Sequence, residues 1–234
     1  MLPSHDHYAS ASAISDYLQS TLRKVPGLTD LHRMAMLLIA EHAPESAHIL
    51  VVGAGGGMET RALADSQPGW RFTGVDPARP MLDLAKKTLA PFLDRVQLIE
   101  GFVDNAPQGP FDGATCLLTL HHIDQSERLR TLRKIRRRLR PGAALVIVEH
   151  SAFGRNPERW MTRSIAFGDR AGIDWQKAAA TARLMMERLP LTTPAVEEGL
   201  LEEAGFESVE LFYAAFSFRG WLAIASKSSP SNDG

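Results

Sequence analysis

Apolar positions along the chain follow two alternating rhythms. Short apolar runs rich in β-branched residues recur at His48–Val52, Arg71–Asp76, Val96–Glu100, 111–120 and 143–149. Each predicts a strand buried on both faces, as in a parallel sheet. The intervening stretches place apolar residues three and four apart and predict amphipathic helices over Met58–Ser66, 81–87 and 126–140. Pro77 and Pro80 open the second of these, and Pro141 with Gly142 closes the third. Strands alternating with helices imply a doubly wound parallel sheet, whose ligands belong at the carboxyl ends of the strands.

Both ends of the chain depart from that rhythm. Two helices, at about 10–24 and 29–42 with a break at Val25, Pro26 and Gly27, precede the sheet and could cover its edge. The segment 153–189, helical and rich in Arg, Met and Trp, reads as an inserted lid. Thr193 caps a further helix with Pro194 in its first turn, and Gly205 ends it. Stretches 209–213 and 221–225 then read as a β-hairpin. At 234 residues this is one domain. It divides into cap helices 1–45, a binding core 46–150, a lid 151–190, a C-terminal helix and hairpin 191–227, and a tail 228–234 of disordered composition.

Composition narrows the class. Charged residues are 23% and apolar residues 44%, and no apolar run reaches the length of a membrane span. The first residues lack a basic segment followed by an apolar one, so a cytoplasmic protein is expected. A net charge of -1 argues against a nucleic-acid partner, and a small-molecule substrate is the expectation. Oligomeric state is open, a homodimer included. The single cysteine, Cys116, sits in a strand run as a small core residue, and no metal site is expected. Arg133, Lys134, Arg136, Arg137, Arg138 and Arg140 form a charge run on one helix and read as a solvated face, with an RNA contact as the alternative.

The first strand run ends in Gly53, Ala54, Gly55, Gly56 and Gly57 ahead of a helix. Glycines let the backbone take positive φ and approach a ligand, while the helix start offers unpaired N–H groups. A dinucleotide fingerprint begun at Gly53 needs glycine at position 58, which is Met58, and no P-loop lysine is present. Asp76, nineteen residues after Gly57 at the end of the second run, has the spacing of a ribose-binding acid.

Taken with a third-strand turn at Gly101, Phe111 and Asp112 opening strand four, and Arg140, Pro141 and Gly142 before strand five, this pattern resembles the class I S-adenosylmethionine-dependent methyltransferases. The resemblance implies an α/β, Rossmann-like, doubly wound seven-stranded sheet with its last strand antiparallel, N-terminal helices and a helical lid insertion. It also implies bound S-adenosylmethionine: Gly53, Ala54, Gly55 and Gly57 under the methionine part, Asp76 with Pro77 at the ribose, Phe102 and Val103 beside adenine, and Leu117 to Thr119 beside the sulfonium. N-terminal helices in such enzymes often fold over the pocket, which makes Tyr8 and Tyr17 candidate lid residues. Two positions depart from the family pattern. Val51 replaces an acid two residues before the first glycine, which removes an expected hydrogen bond, and Phe102 replaces an Asp.

His121 and His122 end strand four, where a neutral imidazole could take a proton from a nucleophile. Packing and metal ligation are the alternatives. His150, ending strand five, is a further candidate substrate contact, and Arg183 could hold a carboxylate through its planar guanidinium. A second, partial resemblance, carried by Val25, Pro26 and Gly27, the stretch around Arg183, and Ala204, Gly205 and Phe206, is to the carboxy-S-adenosylmethionine synthases. There the matching arginine holds the extra carboxylate of the cofactor, but Leu117 and the histidine pair depart from that family. Three readings follow: a methyltransferase acting on a small, carboxylate-bearing acceptor, a synthase of that second kind, and a cofactor-binding regulatory module without turnover.

Overall fold

The computed structural model describes residues 19–227. Its sheet contains β1 (His48–Val52), β2 (Arg71–Asp76), β3 (Val96–Glu100), β4 (Phe111–Leu117), β5 (Leu139–His150), β6 (Phe206–Ala215) and β7 (Phe218–Ala225), ordered β3-β2-β1-β4-β5-β7-β6. β1 to β5 run parallel, and β7 lies antiparallel between β5 and β6. This is the seven-stranded arrangement expected from the resemblance.

Alternate strand residues enter two different cores, which is why the strand runs are apolar throughout. Ile49, Val51, Phe72, Val146 and Val148 pack with Leu31, Ile39, Leu63 and Ala85 of α1 (Leu28–Ala40), α2 (Met58–Ser66) and α3 (Arg79–Thr88). Leu50, Val52, Val75, Cys116, Leu145 and Ile147 pack with Leu132, Ile135, Leu200 and Leu201 of α4 (Gln125–Arg138) and α7 (Pro194–Glu203). Side-chain caps fix the starts of these last two helices: Asp124 accepts from the Glu127 N–H, and Thr193 from that of Val196. Among the described residues no helix is long and apolar enough to cross a membrane.

Several boundaries differ from the sequence reading. β4 ends at Leu117, because Leu118 takes φ 57° and residues 120–122 form a single 3₁₀ turn. α4 stops at Arg138 and the chain passes straight into β5, where Leu139 pairs with Phe111. Pro141 and Gly142, the latter at φ 82°, therefore lie inside a strand, and a register shift between Phe111 and Gly113 absorbs the irregularity. The hairpin is longer than expected, with only Phe216 and Ser217 between its strands. Residues 19–24 are helical, whereas the rest of the first expected helix, Tyr8, Tyr17 and the tail from 228 lie outside the described residues.

The charge run of α4 is not a solvated face throughout. Arg136 and Arg138 are buried and donate to carbonyls: Arg136 to those of Gly205 and Ser226, Arg138 to those of Lys134, Asp104 and Ala106. Long side chains of this kind tie an element's end to its neighbours while their stems cover apolar surface.

Candidate functional site

The carboxyl ends of β1, β2 and β4 meet at the glycine turn. Gly53, Gly55 and Gly57 all take positive φ, at 76°, 50° and 80°. The Gly53 and Ala54 N–H groups donate to the Val75 carbonyl, which fastens the turn to β2. A Cβ on Gly53 would stand 2.0 Å from Thr119 Oγ1, so the ends of β1 and β4 approach as closely as only glycine permits. Asp76 holds the turn from below: Oδ2 accepts from the Gly55 N–H at 2.9 Å and Oδ1 from that of Ala78 at 2.8 Å. Each carboxylate oxygen keeps a further lone pair for a ligand hydroxyl.

Above this turn lies a cavity of about 720 Å³. Of the expected cofactor residues, Gly53, Ala54, Gly55, Asp76, Pro77, Phe102, Val103, Leu117 and Thr119 line it. Phe102, 66% exposed, presents an open aromatic face in the wall. Gly57 stands behind the wall, where a Cβ would meet Leu89 and Ala85 at 3.0–3.1 Å, so it admits close packing of α2 on α3.

The structure separates the histidine pair. His122 lines the cavity, and among the described residues no hydrogen bond holds its ring. Solvent reaches it through the cavity mouth, yet surrounding atoms still desolvate it enough to lower its pKa and keep it neutral near pH 7. His121 is buried instead, and its Nδ1 accepts from the His150 N–H at 3.2 Å. Burial, followed by the neighbouring His150, His122 and Arg128, holds its pKa well below the usual value. His150 is equally enclosed: it stacks on Phe218 at 4.0 Å and pairs with Ser217 Oγ at 2.8 Å. Burial lowers it to about 3. His121 and His150 are thus buried and absent from the cavity wall, which of the three expected histidines His122 alone lines.

Arg183 lies outside the cavity wall. It lies on α6 (Trp175–Arg188), two-thirds exposed, and donates to Glu158 of α5 (Pro157–Gly168) at 2.8 Å. α5 and α6, the expected lid, pack against each other and contribute no residue to the cavity. Thr21, Leu28 and His32, from 19–24 and α1, line it instead. Asp112 and Glu149 have separate partners: Asp112 takes the His48 N–H and Arg140, and Glu149 takes Arg128.

Two wall residues escaped the sequence reading. His32 is buried on α1, and desolvation lowers its pKa to about 4. Glu59, in the first turn of α2, is 7% exposed, and burial pushes its carboxyl up to about 7 against the opposing effect of the Thr115 hydroxyl. Among the described residues that hydroxyl makes no well-formed hydrogen bond, and Glu59 Oε1 has no partner. The available signal was Glu59 at a helix-start position directly after the glycine turn. Among the described residues no group of three or more acids, histidines and cysteines could hold a metal.

Comparison with known proteins places this arrangement. Residues 50–145 match a family model described as a methyltransferase domain. The chain is 24% identical over 216 residues to a carboxy-S-adenosyl-L-methionine synthase of Aeromonas salmonicida, covering 90% of this chain and 87% of the relative. In fold it resembles human N-acetylserotonin methyltransferase in complex with SAM (TM-score 0.62, 17% identity, 97% of this chain). It likewise resembles an O-methyltransferase family protein of Burkholderia thailandensis (TM-score 0.63, 15% identity, 94% of this chain). The chain spans 61% of the length of each of those structures. The matched domain, the sheet order and the glycine turn with its acid together make residues 50–145 similar to a methyltransferase domain.

Proposed function

We propose that the protein transfers the methyl group of S-adenosylmethionine to a small, largely apolar nucleophile. The carrying observation is one continuous cavity that joins the Asp76-braced glycine turn to the neutral imidazole of His122. The residues fit the cofactor. Gly53 and Gly55 leave backbone exposed for the amino-acid part, Asp76 has lone pairs for the ribose hydroxyls, and Phe102 offers a face for adenine. When bound, the cofactor supplies an activated methyl on a good leaving group, so the protein's work is chiefly alignment. His122 accepts the proton of a hydroxyl, thiol or amine nucleophile, and the apolar wall of Leu28, Leu117, Leu118 and Ile123 excludes water.

The carboxylate expected on the acceptor loses its support. Arg183 pairs with Glu158, and the lysine in the wall, Lys134, pairs with Asp104 at 2.6 Å. The same placement weakens the carboxy-S-adenosylmethionine synthase reading, which the similarity over 90% of the chain otherwise favours. Mass spectrometry of the copurified cofactor separates the two by the mass of the added carboxylate.

The test combines binding with turnover. Asp76→Asn should weaken S-adenosylmethionine binding roughly 10–100-fold, the loss of about 1.5–3 kcal/mol of charge-assisted hydrogen bonding. His122→Asn should leave that affinity unchanged and lower kcat about 100-fold or more with a methyl acceptor drawn from a panel of phenols, thiols and amines. A wild-type protein that does not bind the cofactor overturns the proposal, and binding without turnover across the panel favours the regulatory module.

A further inference from the structure

One wall residue is left unexplained by alignment and proton transfer. The Glu59 side chain is buried at the cavity edge, and among the described residues Oε1 has no hydrogen-bond partner. A carboxylate so placed is costly unless a ligand completes it. It lies beside Thr115, which pairs in register with Val51 across β1 and β4. Glu59 therefore reaches the same strand position at which the chain lacks an acid of its own. The other carboxylates of the wall are already engaged: Asp76 by backbone N–H groups, Asp104 by Lys134, and Glu127 by Arg130.

We infer that Glu59 binds the primary ammonium at the amino-acid end of the bound cofactor, supplying from α2 the carboxylate that Val51 cannot supply from β1. This rests on the proposed occupancy of the cavity. The geometry suits a cation: Glu59 lines the cavity beside a turn of backbone and glycine, which bears no charge of its own, and among the described residues no cationic side chain pairs with its carboxylate. Binding an ammonium there ionises the carboxyl and releases its proton. The titratable groups around it are Cys116 on β4, raised by burial, and His32 and His122, which line the same cavity and are both lowered, while Asp76 braces the turn.

Calorimetric titration with S-adenosylhomocysteine and with its analogue bearing hydrogen in place of the amino group tests this on the intact protein. Wild type should bind the parent compound at least about tenfold more tightly than the analogue. It should also release protons on binding the parent at pH 6.5, read from the dependence of the heat on buffer ionisation enthalpy. Glu59→Gln should abolish the proton release and shrink the discrimination, whereas Asp76→Asn should weaken both ligands alike. Equal binding of the two ligands by wild type, or full discrimination in Glu59→Gln, overturns the inference while leaving the cofactor site standing. Failure of wild type to bind the parent overturns both. Should the variant not fold, equal binding of the two ligands or absence of proton release in wild type still overturns the inference.

Discussion

At the scale of single residues, the site depends on one contact that tolerates no side chain. Gly53 sits at φ 76° with the Thr119 hydroxyl where its Cβ would be. Gly53→Ala therefore has to hold alanine in a left-handed conformation, at about 1–2 kcal/mol, and also push the end of β4 away from the turn. Gly142, at φ 82° with nothing within 4 Å of a Cβ, carries the conformational cost alone. The expected outcome is a modest fall in Tm for Gly142→Ala with normal cofactor affinity, against a larger fall and at least about tenfold weaker binding for Gly53→Ala. Thermal unfolding and titration of the two variants check it, and equal behaviour would show that the Thr119 contact is unimportant. The glycines were legible because positive φ leaves a compositional trace. The division of labour within the histidine pair was not. Adjacent residues in a 3₁₀ turn point in different directions, and which of them meets His150, twenty-nine positions away, depends on β5.

At the scale of elements, the unforeseen feature is Arg128. It is fully buried, with Nη1 contacting Glu149, Thr192 and Glu197 and Nη2 contacting the carbonyls of Leu120 and Pro190. One guanidinium thus joins α4, β5, α7 and the turn that carries His122. Periodicity could find each helix and strand, because both faces of the sheet are covered, but not a partnership between residues 69 positions apart. The same blindness made the buried arginines of α4, Arg136 and Arg138, look like part of a solvated face. Removing the cation leaves two buried carboxylates facing each other, so Arg128→Ala should cost about 3–5 kcal/mol in urea unfolding. Replacing Arg128, Glu149 and Glu197 together by apolar residues of similar volume should recover most of that loss. By contrast, Arg183→Ala breaks an exposed pair and should change stability by less than about 1 kcal/mol.

At the scale of the whole molecule, buried groups of opposite kinds set the response to pH. His32, His121 and His150 are held neutral, with folded values of about 4 for His32, about 3 for His150 and well below the usual range for His121. Their stabilising effect is fully present above about pH 6.5 and is lost as pH falls toward the folded values, because the unfolded chain binds the protons first. Glu59, raised to about 7, and Glu149, raised well above its usual value by burial and Glu197, act in the other direction. Their contribution is present below about pH 4.5 and is lost as pH rises through the folded values. At pH 5 unfolding should take up roughly three protons at the histidines and release roughly one and a half at the two acids, so stability climbs with pH. At pH 7 the histidines contribute little while both acids release, so stability declines. The ligand-free protein should therefore be most stable near about pH 6. Glu59→Gln should flatten the limb above that maximum and steepen the acid limb, because its released proton no longer offsets the uptake at the histidines. Unfolding free energies measured in urea from pH 4.5 to 8 give both limbs directly, and a wild-type maximum near neutrality that Glu59→Gln does not alter would remove Glu59 from the account.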